Sequence, residues 1–261
     1  MIKCGSVHML VLLATVGCAP HVLHRGGELR SRTIIASGQA IDAEVWVVHW
    51  EHPSGMSAYR GDRGGHFGQR GGRAAWSLDE LRRHVDLVVI HYDAVGSSRR
   101  CFDVLQQRGL SCHFLLDTDG TIYQTLDLRE RAWHATVAND RSIGIELAQR
   151  GAVEAGDGPV PGGEIVGVIQ GRRLRQPPFT DAQYRALASL LAALHEAFPR
   201  IALDVPRLPD GTVVPHQLDP AAFASFSGVI GHYHVQANKI DPGPAFDWDR
   251  VLADARRHAA R

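Results

Sequence analysis

Five side chains in three separate segments of the chain are of the types that bind metal ions and catalyse hydrolysis. They are His91, Glu146, His232, Lys239 and Asp241. Two imidazoles and one carboxylate make three zinc ligands, and a site with three protein ligands keeps a fourth position for water. A second carboxylate beside that water can act as a general base, and an ammonium group can stabilise a developing oxyanion. Together these residue types predict a metal-dependent hydrolase.

Taken singly, each of these residues has a simpler structural interpretation. A histidine at the end of a buried strand usually hydrogen-bonds within the core, and a glutamate in an apolar strand more often pairs with arginine. The lysine content favours a role for Lys239, because 26 of the 28 basic residues are arginine and the other lysine is Lys3. Lysine is a compact point charge and arginine a planar fork, so the two are not interchangeable where an ammonium group is needed.

Four motifs resemble those of a known enzyme family and follow one another in the family's order. They are His91 at the end of an apolar run, Ala132-Trp-His-Ala135, Ser142-Ile-Gly-Ile-Glu146, and the run from Lys239 to Trp248 that contains Asp-Pro-Gly-Pro. Over roughly residues 85–250 the sequence resembles the zinc-dependent N-acetylmuramoyl-L-alanine amidases. This group shares a fold with phage T7 lysozyme and the peptidoglycan recognition proteins.

The resemblance implies roles for particular residues. It makes three of them the ligands of one zinc ion per chain: His91, His232 and Asp241. Glu146 matches the family's general base, and Lys239 matches its oxyanion-stabilising lysine. His134 and its neighbour Trp133 match positions that line the substrate site. The implied substrate is peptidoglycan or its muropeptide fragments, and the implied reaction is hydrolysis of the amide between N-acetylmuramic acid and L-alanine.

Several alternatives remain open at the level of sequence. The spacing from His232 to Lys239 is one residue shorter than in the commonest form of the motif, so His234 is a possible substitute ligand. A non-catalytic peptidoglycan-binding module is the main functional alternative. A two-histidine, one-carboxylate iron oxygenase is another, because ligand type alone does not choose the metal.

Alternating strands and helices predict one α/β domain, over residues 45–261, with a central mixed β-sheet flanked by helices. The clearest helix begins after Thr180, a natural N-cap, and ends before Pro199. Residues 151–178 and 203–226 are predicted to be insertions that shape the substrate groove. Cys101 and Cys112 could form a disulfide or remain two buried thiols.

The N-terminal segment has the composition of an export signal. A basic start at Lys3 is followed by a short apolar core and by small residues ending at Cys18, which resembles a bacterial lipobox. Residues 1–18 are therefore predicted to direct export, with lipid attachment at Cys18 and residues 19–44 as a tether. This predicts a periplasmic lipoprotein of the outer membrane, with membrane contact through the lipid alone. Simple secretion is the alternative, because Thr15 stands where a lipobox usually has leucine. The lipobox makes the periplasmic lipoprotein amidases the nearest subgroup.

The overall charge argues against a nucleic-acid partner. The 28 basic and 28 acidic residues give a formal net charge of zero, so bulk electrostatic attraction to a polyanion is not expected.

Overall fold

Runs of strands are separated by helices along the chain, with the longest run of strands between the second and third α-helices. The structure, a computed structural model, describes residues 23–25, 28–59, 65–73, 75–156 and 163–261. The strands are β1 (Leu23–Arg25), β2 (Glu28–Ala36), β3 (Gln39–His49), β4 (Phe67–Gln69), β5 (Leu87–Tyr92), β6 (Phe114–Leu116), β7 (Ile122–Gln124), β8 (Glu130–Ala132), β9 (Ser142–Leu147), β10 (Val153–Glu154), β11 (Ile165–Ile169), β12 (Arg172–Gln176) and β13 (Gly228–Gly231). The helices are α1 (Leu78–His84), α2 (Ser98–Gln107), α3 (Asp181–Ala197), α4 (Pro220–Ser225), α5 (His232–Val235) and α6 (Trp248–Ala259).

The largest sheet is mixed and has eight strands in the order β1-β2-β3-β7-β6-β9-β5-β13. Strand β5 runs parallel to β9 and β13, and β9 runs parallel to β6. The pairs β6–β7 and β2–β3 are antiparallel. Helix α3 packs against α6 and against β3. The predicted single α/β domain with a central mixed sheet is confirmed.

The middle of the sheet is buried on both faces. Residues Leu87–Ile90 of β5 are fully buried, and all of β13 is buried. Such continuous apolar runs are typical of parallel strands covered on both sides. These strands cannot shift without exposing apolar surface, so their ends are fixed in position. The metal site predicted from the sequence lies at these ends.

Helix α3 begins as the sequence predicts. The Thr180 side chain accepts a hydrogen bond from the Gln183 N–H, and the Gln183 side chain accepts one from the Thr180 N–H, which is a capping box. Leu187, Leu191 and Leu194 on one side of the helix are fully buried.

The prediction that residues 19–44 are an irregular tether is wrong for residues 28–44. These residues form β2 and the first half of β3, and Ile34 and Ala36 are fully buried. Ser37 and Gly38 connect the strands with φ values of 53° and 71°, the backbone of a two-residue hairpin turn. The register shifts between Ser31 and Thr33, and this irregularity interrupts the alternation of apolar and polar residues by which a strand is recognised.

The insertion predicted at residues 151–178 contains a small sheet of its own. Strand β12 lies between β10 and β11 and is antiparallel to both. The second insertion, at residues 203–226, has little regular structure apart from the short helix α4.

Cys101 and Cys112 are both buried free thiols, so the alternative of a disulfide between them is not realised. The predicted export signal, residues 1–18, lies outside the described residues. Within the described ranges, no helix is long and apolar enough to cross a bilayer.

Candidate metal centre

Three neighbouring strands bring the predicted chemical groups to one edge of the sheet. His91 near the end of β5 pairs directly with Glu146 near the end of β9. Paired residues of parallel strands project from the same face, so these two side chains are neighbours. On the other side of β5, β13 ends at Gly231, and His232 is the next residue. The carboxyl ends of the strands thus converge, as is usual for ligand sites in α/β sheets.

The predicted ligands His91, His232 and Asp241 meet in a tight triangle. Nδ1 of His91 lies 3.1 Å from Nδ1 of His232 and 2.8 Å from Oδ2 of Asp241, and the third separation, between His232 and Asp241, is 3.1 Å. All three residues are at most 9% exposed. Tetrahedral zinc at about 2.0–2.1 Å from its ligands separates them by roughly 3.3 Å, so small side-chain movements would let these atoms hold a metal ion.

Each ligand histidine is oriented by a hydrogen bond from its other ring nitrogen. Nε2 of His91 is hydrogen-bonded to Nδ1 of His134 at 3.0 Å, and Nε2 of His134 in turn lies 3.2 Å from Oγ of Ser142. Nε2 of His232 donates to Oε1 of Gln236 at 2.8 Å. In the tautomer that binds a metal ion, each of these Nε2 atoms carries the proton and each Nδ1 lone pair is free for the ion, and such partners fix the tautomer and raise the basicity of metal ligands. In the metal-free protein the Nδ1 atoms hydrogen-bond to Oδ2 of Asp241 instead.

Gly144 provides the space that His134 occupies. A Cβ atom at this position would lie 2.7 Å from Nδ1 of His134 and 2.8 Å from Sγ of Cys112, so no larger residue fits without displacing one of them. A glycine inside a strand often marks a close approach of this kind. The glycine in Ser-Ile-Gly-Ile-Glu could therefore have predicted that another side chain packs closely against this strand. That side chain is His134, which contacts His91.

Burial and local charge set the protonation of the ligand residues. Burial lowers the pKa of His91 to about 4, although its hydrogen bond to Asp241 opposes this. Burial also lowers the pKa of His134, and the neighbouring histidine His91 adds to the effect. For Asp241, burial acts to raise the pKa, but the hydrogen bonds from His232 and His91 hold it below its ordinary value. Near neutral pH His91 is therefore a neutral imidazole and Asp241 a carboxylate, the protonation states that bind metals.

The Glu146 carboxyl group is held in an unusual state. Burial raises its pKa well above the ordinary value, and the negative charges of Asp241 and Asp93 add to this, whereas Lys239 opposes it. Its Oε2 atom is buried and has no hydrogen-bond partner among the described residues. Buried polar atoms are nearly always paired, so this free acceptor beside the ligand triangle fits a site that takes a metal-bound ligand.

Lys239 is half-buried, and its charge acts on the site from the loop between the ligands His232 and Asp241. Its positive charge lowers the pKa of both His91 and Glu146, which places it close to both groups. In the part of the chain that the structure describes, Lys239 is not engaged in any salt bridge. Its ammonium group therefore remains available to a substrate.

The structure does not support His234 as a substitute ligand. Its Nδ1 accepts a hydrogen bond from the Gly231 N–H, and its Nε2 donates to the Val214 carbonyl. Burial lowers the pKa of His234 to about 3. Both nitrogens are therefore committed to the backbone, and the shorter loop still delivers His232 to the centre.

Trp133, predicted to contact substrate, is half-buried next to the ligand-orienting His134. Its backbone N–H donates to Oγ of Ser111, and a Cβ atom at Gly68 would lie 3.2 Å from its indole Nε1. Trp133 is thus packed against β4, a strand that precedes the segment carrying the amidase motifs.

Sequence reasoning missed the glutamines at this site. Gln236 orients His232, while Gln170 and Gln176 contact the segments that carry the ligands. Glutamine has no characteristic spacing in such sites, and only the folded chain brings these side chains to the loop.

Comparison with known proteins places this geometry in a family. A protein-family model described as N-acetylmuramoyl-L-alanine amidase (Amidase_2) matches residues 81–244, more than half of the chain. The chain therefore belongs to the N-acetylmuramoyl-L-alanine amidase family.

Curated relatives carry a more specific name. The 1,6-anhydro-N-acetylmuramyl-L-alanine amidase AmpD of Haemophilus influenzae is 29% identical over 164 residues, covering 59% of this chain and 64% of that protein. The AmpD of Escherichia coli is 30% identical over 150 residues, covering 54% and 56% respectively. The chain thus spans less than two thirds of the length of the curated relatives it matches.

Two solved structures are also similar. The E. coli amidase AmiD, in complex with an anhydro-N-acetylmuramic acid peptide substrate, is 23% identical over 70% of this chain and 59% of that one, with a TM-score of 0.45. A selenomethionine derivative of AmpD is 24% identical over 77% of this chain and 94% of that one, with a TM-score of 0.43.

Proposed function

We propose that this protein is a zinc-dependent amidase that hydrolyses the bond between N-acetylmuramic acid and L-alanine in peptidoglycan or its fragments. The observation that carries the proposal is the convergence of three ligand atoms, from His91, His232 and Asp241, next to the unpartnered Oε2 of Glu146. Membership of the amidase family supports the choice of bond, as do the names of the curated relatives.

The donor set of two imidazole nitrogens and one carboxylate oxygen suits zinc and leaves a coordination position open. Bound there, zinc would polarise the substrate carbonyl and lower the pKa of a water molecule from about 15.7 toward about 7. Glu146 accepts the water proton and later passes it to the leaving nitrogen. The charge of Lys239 opposes the effect of burial on the pKa of Glu146. A bound dication would add to this effect, and both favour the ionised Glu146 that this step requires.

Lys239 takes the second catalytic role. Its uncommitted ammonium group donates to the carbonyl oxygen as that oxygen becomes negative, and such charge stabilisation is usually the largest contribution to acyl-transfer catalysis.

Trp133 and His134 are proposed to border the substrate. Because both ring nitrogens of His134 are engaged by His91 and Ser142, His134 contributes the surface of its ring and the orientation of His91. The half-buried indole of Trp133 offers an apolar face next to it.

The most direct test is mass spectrometry of the products released from intact sacculi and from anhydro-muropeptides by the purified protein. We expect free stem peptide with an L-alanine amino terminus, and loss of this product after chelation with recovery on adding zinc. Muropeptide binding without release of stem peptide would instead identify a non-catalytic binding module. Purification with iron and little zinc would count against zinc.

Residues 1–18 support a further proposal, that the protein is exported and anchored in the periplasm through a lipid on Cys18. Cell fractionation of the native protein and of Cys18→Ala tests this. The native protein should sediment with outer membranes and the variant should not. Recovery of the native protein in the cytosol would contradict export.

A further inference from the structure

The hairpin formed by β11 and β12 lies against both chain segments that carry ligands from the last part of the sequence. It belongs to the insertion at residues 151–178, which the sequence suggested would shape the substrate groove. One glutamine in its turn and another at its end make the contacts.

Gln176, the last residue of β12, holds the segment that follows Asp241. It is fully buried, and its Nε2 donates to the carbonyl of Pro242 at 2.9 Å while its Oε1 accepts from the N–H of Ala245 at 2.9 Å. Both halves of the amide are therefore used on the turn directly after a ligand.

The turn approaches Gln176 so closely that it requires glycine. Gly243 has a φ of +86°, and a Cβ atom there would meet Oε1 of Gln176. On β11, a Cβ atom at Gly167 would lie 2.7 Å from Cβ of Pro244, so the hairpin backbone also packs against the turn.

Gln170, in the turn of the hairpin, holds the segment that carries His232. Its Nε2 donates to the carbonyl of Tyr233 at 2.8 Å and to that of Gln236 at 3.2 Å. Tyr233 is the next residue in the chain after His232. Gln236 contacts His232 directly, because its side chain orients the His232 ring.

We propose that the β11–β12 hairpin is a positioning element for the metal centre, in which Gln176 and Gln170 set the separation of Asp241 and His232 before metal binds. This inference rests on the proposed metal site. His91, His232 and Asp241 are buried and come from separate segments of the chain, so holding their ligand atoms 2.8–3.1 Å apart costs conformational entropy. Hydrogen bonds from the hairpin offset that cost during folding. Less conformational entropy is then lost when the metal ion binds.

The test is the zinc affinity of Gln176→Ala in the full-length protein, measured by competition with a chromogenic chelator. Outer partners of metal ligands typically contribute about 10–100-fold in affinity, and we expect a loss of about tenfold. The kcat at saturating zinc should change much less, because Glu146 and Lys239 remain in place.

Gln124→Ala is a closely matched control. Gln124 is also fully buried and also uses both halves of its amide on backbone, at Ile35 and Leu126, but it lies on β7, separated from β5 by two strands. We expect it to lower the melting temperature of the metal-free protein about as much as Gln176→Ala while leaving zinc affinity unchanged. If Gln176→Ala does not fold, Gln170→Ala serves in its place.

The possible outcomes separate the two proposals. Equal zinc affinity in Gln176→Ala, Gln124→Ala and the native protein overturns the positioning role and leaves the amidase proposal intact. Equal weakening by both variants also overturns it, since general destabilisation then explains the effect. A native protein that does not bind zinc overturns the proposed metal site and this inference with it.

Discussion

At the scale of single residues, Glu146 is half-buried, and its Oε2 atom is buried without a hydrogen-bond partner among the described residues, an arrangement that favours catalysis at the expense of stability. Burying a carboxyl group without a partner is unfavourable. The cost is tolerated where the group must receive a proton during a reaction. A structural glutamate in a strand would instead be expected to pair with arginine.

We predict that Glu146→Gln lowers kcat by about 10²–10⁴-fold, the usual contribution of a general base, while zinc binding is retained. The same change should raise the melting temperature of the metal-free protein, because a neutral amide replaces a buried ionisable group. Steady-state turnover of a muropeptide, zinc content and thermal unfolding check the three parts. Turnover at the native rate by Glu146→Gln would remove Glu146 from the mechanism.

Lys239 is predicted to act through charge at a defined point. Lys239→Ala should lower kcat by about 10²–10³-fold, as removal of an oxyanion donor does elsewhere. Zinc affinity should hold or increase slightly, since one positive charge near His91 is removed. Lys239→Arg is the control that keeps charge but changes its shape. Native kcat in Lys239→Ala would contradict the role.

At the scale of elements, β2 and β3 are bound into the domain at the turn that joins them. The N–H groups of Ser37 and Gly38 donate to the two carboxylate oxygens of Asp127, at 2.8 and 2.6 Å, and Asp127 is 2% exposed. Because the turn residues leave these donors pointing in one direction, one carboxylate satisfies both. The β2–β3 hairpin is therefore held against the same core that supports the candidate metal centre.

Asp127→Ala is predicted to destabilise the protein by about 1.5–3 kcal/mol, the usual value for hydrogen bonds to a charged group. Urea unfolding of the metal-free protein measures this. Zinc affinity should stay unchanged, because Asp127 lies in the loop after β7, on the far side of β6 and β9 from β5. A loss below about 0.5 kcal/mol would mean that the hairpin is not held through this residue.

The elements that were predictable from sequence are those with an uninterrupted pattern. The buried runs of β5 and β9 and the capped helix α3 are recognisable from local sequence alone. The predicted ligands followed from the motifs that resemble the amidase family, of which His91 lies near the end of β5 and His232 directly after β13. The hairpin of β2 and β3 was missed because its register shift breaks the alternation. The contribution of β11 and β12 depends on contacts between residues about 65 positions apart, such as Gln176 with Pro242, which no local pattern encodes.

At the scale of the whole molecule, the many histidines matter for stability as well as for the site. Burial lowers the pKa of His113 to about 3, with a further effect from Arg70, and burial lowers that of His234 to about 3. Each has both ring nitrogens hydrogen-bonded to backbone: His113 to Gly144 and Glu130, and His234 to Gly231 and Val214. Protonation would break one of these bonds and bury a charge.

We predict that the metal-free protein loses stability steadily as the pH falls below about 6.5. Folded His113 and His234 stay neutral down to about pH 3, whereas in the unfolded chain they take up protons near the ordinary value of 6.5. Their contribution is therefore complete above pH 6.5 and is lost as the pH falls toward 3, by up to about 1.4 kcal/mol per pH unit for each group. Glu146 acts in the opposite direction, because its raised pKa favours the folded state at low pH. Burial also lowers the pKa of His91 and His134, and these two residues add to the effect of His113 and His234. Urea unfolding at pH 7 and at pH 5 measures the difference, with Glu146→Gln as the variant in which the decline should steepen. A free energy of unfolding that is constant or higher at pH 5 would show that these histidines are not held neutral in the fold.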